Sequence, residues 1–215
     1  MINIDFDLYK PSNLEQWISQ YYMNNGILYP SDLNIETVAS IFGVEIRYYE
    51  GPCFAEWEEE EDGYSFIFLN KNKHPYKLKN DFFHELCHPL RHVGQQDLLP
   101  VLFQELQEIQ ATQFQLVSAM PYYLLKQLSV ERYLSDYIFS LSEAFGQPAV
   151  FVERRISQVV AKINQEQRQK ELQKRMQIKP SGVSYMPTTI RILEQLQRQV
   201  AERSGKYLAK HQSSL

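Results

Sequence analysis

The pentapeptide His-Glu-Leu-Cys-His at residues 84–88 limits what this chain can fold into more than any other feature of its sequence. On a helix, His84 and His88 stand one turn apart on the same face, so both imidazoles can bind one metal ion. Glu85 directly follows the first histidine and can accept a proton from water bound to that ion. The motif therefore predicts a helix that carries a zinc hydrolase site. The competing interpretation is a solvated helix with two ordinary histidines.

The composition of the 215-residue chain is typical of a folded protein from a reducing compartment. Hydrophobic residues make up 44% and aromatic residues 13%, enough to form the core of one compact domain, with or without a small appendage. Its two cysteines, Cys53 and Cys87, do not suggest a disulfide framework. We see no secretory signal and no apolar run long enough to span a membrane, so we expect a cytoplasmic protein without membrane contact.

Charge is distributed unevenly along the chain. Residues 161–215 contain 11 Lys or Arg against 4 Glu and no Asp, whereas residues 1–160 hold 11 basic and 22 acidic side chains. A basic tail of this kind is either a solvated helix, which we favour, or an arm that contacts nucleic acid or an acidic partner.

Hydrophobic spacing and turn residues predict a chain in which helices dominate. Helices are predicted at residues 13–24, from 32 or 34 to 42, 80–94 and 103–120, and strands at 44–49, 54–58 and 64–69, the last two forming a hairpin across the acidic turn 59–63. We expect Asn80 to cap the helix that carries the motif.

Pro89 directly follows His88 and should disturb this helix. A proline in a helix removes one hydrogen bond and clashes with a carbonyl one turn earlier, here that of Glu85. We expect a kink or a tightened last turn, with both histidines upstream of it and still aligned. His92, one turn beyond His88, either extends the row of ligands or, as we favour, lies beside a ligand or at the surface.

A catalytic zinc site uses three protein ligands and keeps one position open for water. The helix after the motif offers Glu105 and Glu108 as the third ligand, and His92 is a further alternative. Helical spacing does not choose between the two glutamates, because they lie one turn apart on nearly the same face.

The two helices together resemble a known family. Residues 84–92 (HELCHPLRH) and 108–121 (EIQATQFQLVSAMP) are similar to the paired motifs HExxH and E-x-x-A-x-x-F-A of the ImmA/IrrE zinc metallopeptidases. The resemblance places the downstream glutamate at Glu108. It therefore implies that His84, His88 and Glu108 hold one Zn²⁺ per chain and that Glu85 is the catalytic base. Gln115 departs from the family pattern, which has a small residue there.

This resemblance extends over roughly residues 33–121 and implies an α+β, mainly helical fold. We assign a zincin-like peptidase core with a short β-sheet to residues 1–125 and a helical region with a basic tail to residues 126–215. Known members are cytoplasmic, and several cleave or inactivate helix-turn-helix repressors of phages and mobile elements. The implied function is a zinc-dependent endopeptidase with such a repressor as its protein substrate. The alternative is a non-catalytic or DNA-binding regulator with a peptidase-like core, which an intact Glu85 disfavours.

The helical region itself leaves several roles open. Residues 133–145 and 148–160 predict a helix, a turn and a second helix, with Arg154 and Arg155 exposed. This pair either packs on the core, binds the repressor or reads DNA, and DNA contact is the expectation we favour least. Beyond it we predict a polar helix or linker at 165–177, a break at 180–187 and a last helix at 188–203.

Peptide hydrolysis also needs a donor for the developing oxyanion. The sequence does not identify this donor, and Tyr122, Tyr123 and His74 are the candidates that it offers. Cys87 should point away from the ligand face and into the core.

Overall fold

The computed structural model describes residues 4–58, 63–93 and 99–177, together with isolated positions between 189 and 195. The predicted α+β, mainly helical fold class is confirmed. In chain order its α-helices and β-strands are α1 (Asn13–Asn24), α2 (Ile35–Ile41), β1 (Glu45–Tyr49), β2 (Phe54–Trp57), β3 (Ser65–Asn70), α3 (Pro75–Glu85), α4 (Cys87–Arg91), α5 (Val101–Ala119), α6 (Tyr122–Leu125), α7 (Leu134–Phe145) and α8 (Ala149–Gln177).

The three strands form one mixed sheet in the order β1-β3-β2. β2 and β3 pair antiparallel, as the predicted hairpin requires, and β1 joins β3 in parallel. Residues 59–62 of the expected acidic turn lie outside the described residues. Ile67 and Leu69 of the central strand are fully buried, because α3 packs against β3. Helix α4 lies against the edge strand β2, which brings the motif beside the sheet.

The helix that carries the motif begins earlier than the sequence suggested. His74 caps α3 by accepting a hydrogen bond from the backbone N–H of Tyr76, and Pro75 occupies the first turn, where its missing N–H has no helical partner to lose. The predicted start at Asn80 is therefore wrong. Asn80 instead lies inside α3 and accepts a hydrogen bond from Gln115 of α5 at 3.0 Å, so the glutamine that departs from the family pattern joins the two site-bearing helices.

Pro89 disturbs the helix at a different point from the one predicted. The helix is interrupted at Leu86, between the two histidines, and not after His88. Because Pro89 has no N–H, the carbonyl of Glu85 loses its donor one turn later, and the irregularity appears at that turn. Leu86 keeps helical backbone angles (φ −61°, ψ −27°), so the chain continues in the same direction and the two histidines remain on one face.

Helix α7 and the first part of α8 pack on the same core as the elements that precede them. Gly146 ends α7 with a left-handed backbone (φ 60°), a conformation that glycine adopts without strain. Phe145, Val152 and Val159 are buried in the central hydrophobic cluster. Residues 165–175 of α8 are mostly exposed, in agreement with the predicted polar helix.

Arg155 contradicts the expectation of an exposed arginine pair. Its side chain is 0% exposed, whereas Arg154 faces solvent. The guanidinium of Arg155 donates to a carboxylate oxygen of Glu15 at 2.9 Å and to the backbone carbonyl of Met120 at 3.0 Å. The sequence prediction failed because the buried face of α1 includes Glu15, a carboxylate that requires an opposite charge when it leaves water.

Contacts divide the chain into two units, Met1–Gln169 and Lys170–Leu215. The boundary that we expected at residue 125 stays a prediction, although the first unit includes α7 and most of α8. The predicted break at 180–187 and most of the predicted helix at 188–203 lie outside the described residues. Within the part of the chain that is described, no helix is long and apolar enough to cross a membrane.

Candidate metal centre

Three side chains from two neighbouring parts of the fold meet at one point. Nε2 of His84 lies 3.1 Å from Oε2 of Glu108, and Nε2 of His88 lies 3.7 Å from Oε1 of the same carboxylate. One possible ligand atom from each residue lies within 4.8 Å of the others. Two ligands of a tetrahedral zinc ion, each about 2.1 Å from the metal, are about 3.4 Å apart. The spacing of these three side chains therefore fits one ion.

The chemistry of this donor set also fits zinc. Two imidazoles and one carboxylate form the ligand set of several catalytic zinc sites, which leave the fourth position open. Glu108 is about half exposed, so the site opens to solvent on that side. Glu105 is exposed one turn earlier on α5, and among the described residues neither Glu105 nor His92 belongs to the group with ligand spacing. The ligand role of His84, His88 and Glu108 itself stays a prediction.

Packing on the opposite side of the motif holds the histidines in place. Phe82, Phe83, Leu86 and Cys87 are buried in the core, and the expectation that Cys87 points into the core agrees with the structure. Both parts of the broken helix, α3 and α4, pack against α5. The motif and Glu108 are therefore fixed by one shared hydrophobic contact surface.

His88 is the more buried of the two motif histidines. Burial lowers its pKa to about 4; the neighbouring His84 and His92 act in the same direction and Glu108 opposes them. The ring is consequently uncharged near neutral pH. An uncharged imidazole has the lone pair that a metal ion requires.

Glu85 lies next to the three-residue group and is largely shielded from water. Burial raises the pKa of its carboxyl to about 7, repulsion from Glu108 and Asp81 adds to the increase, and Lys73 opposes it. Lys73 itself forms an ion pair with Asp81, which stands one turn before Glu85 on α3. Glu85 therefore lies near two other carboxylates, Glu108 and Asp81, and Lys73 offsets their negative charge only in part.

Sequence reasoning missed one aromatic neighbour of the site. The ring of Trp57, the last residue of β2, stacks on His88 with centroids 6.3 Å apart and planes at 24°. The alternation of β2 places Trp57 on the same side as Ala55, which pairs with buried Ile67. This alternation predicts an inward-facing tryptophan, but not which helix it meets.

The three candidates for an oxyanion donor all make other contacts. Tyr123 donates to the backbone carbonyl of Ile27 at 2.8 Å, and the ring of Tyr122 packs on Tyr9. His74 caps α3, about 15 Å along the helix axis from His84. The structure thus gives none of them a contact with the motif.

Comparison of the sequence with known proteins identifies its family. The model of Peptidase_M78, described as the IrrE N-terminal-like domain, matches residues 39–157, which include the motif, Glu85 and Glu108. The chain belongs to the ImmA/IrrE family. The matched segment continues through α7 into α8, so the family domain extends beyond the core that the motifs alone had indicated.

Two relatives of this ImmA/IrrE protein come from Bacillus subtilis (strain 168). Phage-like element PBSX protein XkdA is 29% identical over 146 residues, which cover 67% of this chain and 72% of XkdA. Uncharacterized protein YqaB is 26% identical over 157 residues, covering 73% of this chain and 90% of YqaB. The family is one of metallopeptidases, and one of these relatives carries the name of a phage-like element.

Proposed function

We propose that this protein is a zinc-dependent endopeptidase that cleaves a helix-turn-helix repressor and so derepresses a phage or mobile element. The convergence of His84, His88 and Glu108 beside Glu85 carries the proposal, because it unites a metal-ligand set with a base. Family membership supports the assignment as a peptidase. The name of XkdA, which refers to a phage-like element, supports a role in a phage or mobile element.

In this mechanism three side chains bind the metal and a fourth transfers a proton. His84, His88 and Glu108 would hold Zn²⁺, which lowers the pKa of water and polarises a carbonyl. Glu85 takes a proton from the attacking water and later delivers it to the leaving amine. Glu85 is suited to this role because it adjoins the ligands without belonging to their group.

The surroundings of the site favour a protein substrate over a small molecule. β2 is an edge strand that pairs only with β3 among the described residues, and its last residue touches His88. An extended peptide can add to such an edge by backbone hydrogen bonds. On α5, Leu102, Leu106 and Ile109 are exposed at helical spacing near Glu108, and apolar surface of this kind commonly contacts other proteins.

Burial of Arg155 weakens the alternative of a DNA-binding regulator. A DNA-reading helix presents its basic side chains to the phosphates and bases. Arg155 instead satisfies Glu15 inside the fold, and α8 buries Val152 and Val159 against the core. Both α7 and α8 therefore use one face to pack against the hydrophobic core.

The proposal is tested by incubating the purified, zinc-loaded protein with the repressor encoded beside its gene. We expect one or a few discrete fragments by mass spectrometry, no fragments after zinc is removed with a chelator, and recovery when zinc is returned. Binding of the repressor without cleavage would identify a non-catalytic regulator instead.

A further inference from the structure

His92 is a buried histidine that the proposed mechanism does not use. It follows α4, where the backbone leaves the helix (φ −107°, ψ 143°), and its residue surface is only 5% exposed. This turn carries the ring back toward the motif. Its Nδ1 atom lies 3.0 Å from Nδ1 of His88, within hydrogen-bond distance.

A contact between two imidazole nitrogens requires one hydrogen between them. If both rings are uncharged, one Nδ1 donates and the other accepts, because two facing lone pairs would repel. Nε2 of His88 faces Glu108 at 3.7 Å, on the side of the ligand group. When His88 carries its hydrogen on Nδ1, Nε2 presents a lone pair to a metal. The opposite tautomer would place a hydrogen on Nε2 and block it.

His92 also has contacts outside the group of metal ligands. Gln110 of α5 forms a side-chain hydrogen bond with His92, which gives His92 a polar partner besides His88. Nε2 of His92 lies 3.9 Å from the sulfur of Cys87. Nδ1 of His92 therefore faces His88 and Nε2 faces Cys87, so each ring nitrogen has a partner within the protein.

We propose that His92 is a positioning residue for the metal site, which accepts a hydrogen bond from Nδ1–H of His88 and holds Nε2 of His88 ready to bind the metal. The inference rests on the proposed function, since it assigns His88 as a ligand. Residues that hydrogen-bond to a ligating histidine fix its tautomer and ring orientation, and their loss commonly lowers metal affinity about 10–100-fold.

Two substitutions separate the hydrogen bond from the volume of the ring. His92→Phe keeps a buried ring but removes the acceptor, whereas His92→Asn retains an oxygen near the position of Nδ1. We expect zinc affinity, measured by competition with a chromophoric chelator, to fall about 10–100-fold in His92→Phe and to recover most of this loss in His92→Asn. His74→Phe is the control, because it removes a helix cap far from the site and should lower thermal stability without lowering zinc affinity.

The tautomer itself can be read in the metal-free protein. Nitrogen-15 NMR of the side chains should find the hydrogen of His88 on Nδ1 in the parent and in His92→Asn, and a mixture of tautomers in His92→Phe. If His92→Phe does not fold, the parent and His92→Asn spectra still decide the matter. A hydrogen on Nε2 of His88 in the parent would overturn the inference.

The affinity measurements also distinguish this inference from the proposed function. A parent protein that binds no zinc would contradict the proposed function itself. A parent that binds zinc, with a folded His92→Phe variant of equal affinity, would contradict only the role of His92. Complete loss of zinc in both His92 variants would make His92 a direct ligand, which also contradicts the inference.

Discussion

Oε2 of Glu108 lies 3.1 Å from Nε2 of His84, although 24 residues separate them along the chain. Helix α5 brings this carboxylate to the motif because both helices bury their other faces in the same core. The contact favours Glu108 over Glu105 as the third ligand, a choice that helical spacing alone leaves open.

Replacement of Glu108 by alanine should remove most of the bound zinc. Loss of a direct ligand is expected to lower the affinity by more than the roughly 10–100-fold that follows from loss of a residue beside a ligand. The zinc content of dialysed protein measures this effect. Glu105→Ala, one turn away on the same helix, is the matched control and should retain zinc near the parent level. The assignment fails if the two variants behave the other way round.

Part of the geometry of the candidate site follows from the sequence. Two histidines four residues apart on a helix must share a face, so the approach of His84 and His88 follows from local geometry. The choice of Glu108 required the resemblance between paired motifs. The position of His92 depends on where α4 ends, at Arg91, which the sequence pattern did not predict.

Interactions between distant elements account for what the sequence did not predict. Arg155 is hidden because Glu15, 140 residues earlier, is buried opposite it. Asparagine commonly caps helices, but α3 already begins at Pro75 with His74 as its cap, so Asn80 lies inside the helix. In each case a tertiary contact or a stronger local signal overrides the preference of a single residue.

Removal of the Arg155 charge should strongly destabilise the fold. Arg155→Met would leave the buried carboxylate of Glu15 with Lys162 as its remaining ion-pair partner among the described residues. Complete loss of the partner of a buried charge costs about 3–5 kcal/mol, and because Lys162 remains we expect a loss near the lower end of this range. Urea denaturation gives the change in the free energy of unfolding. Arg154→Met, at the exposed neighbouring position, should change that free energy by less than about 0.5 kcal/mol. Equal effects of the two substitutions would contradict the structural role of the buried pair.

Glu15 should also make the stability depend on acidity. Burial raises the pKa of Glu15, but Arg155 and hydrogen bonds from Lys162, Tyr9 and Ser12 outweigh this effect and bring the pKa to about 2. The pKa of Glu15 in the folded protein lies below the unfolded value of 4.5. The contribution of ionised Glu15 to the free energy of unfolding is therefore complete above pH 4.5 and is lost as the pH falls toward 2. The parent should therefore lose its advantage in unfolding free energy over Glu15→Gln across this interval. A constant difference between the two proteins from about pH 5 to 2 would refute the assignment.

Deletion of residues 181–215 should leave zinc binding intact, because all proposed ligands precede residue 109. The basic character of residues 161–215 predicts weaker binding of an acidic partner or of nucleic acid in the truncated protein, with the loss largest at low salt. Metal analysis and a salt titration of binding measure the two effects separately. Loss of stoichiometric zinc on truncation would show instead that the tail completes the core.

The central claim is that Glu85 acts as the base of a zinc peptidase, and Glu85→Gln tests it most directly. The amide keeps the shape of the side chain but cannot accept a proton from water, and Glu85 lies outside the group with ligand spacing. The test compares zinc content and repressor cleavage in the same preparation of the parent and of Glu85→Gln. The account predicts that the variant keeps zinc near the parent level and loses cleavage. Cleavage at the parent rate by the zinc-loaded variant would contradict it.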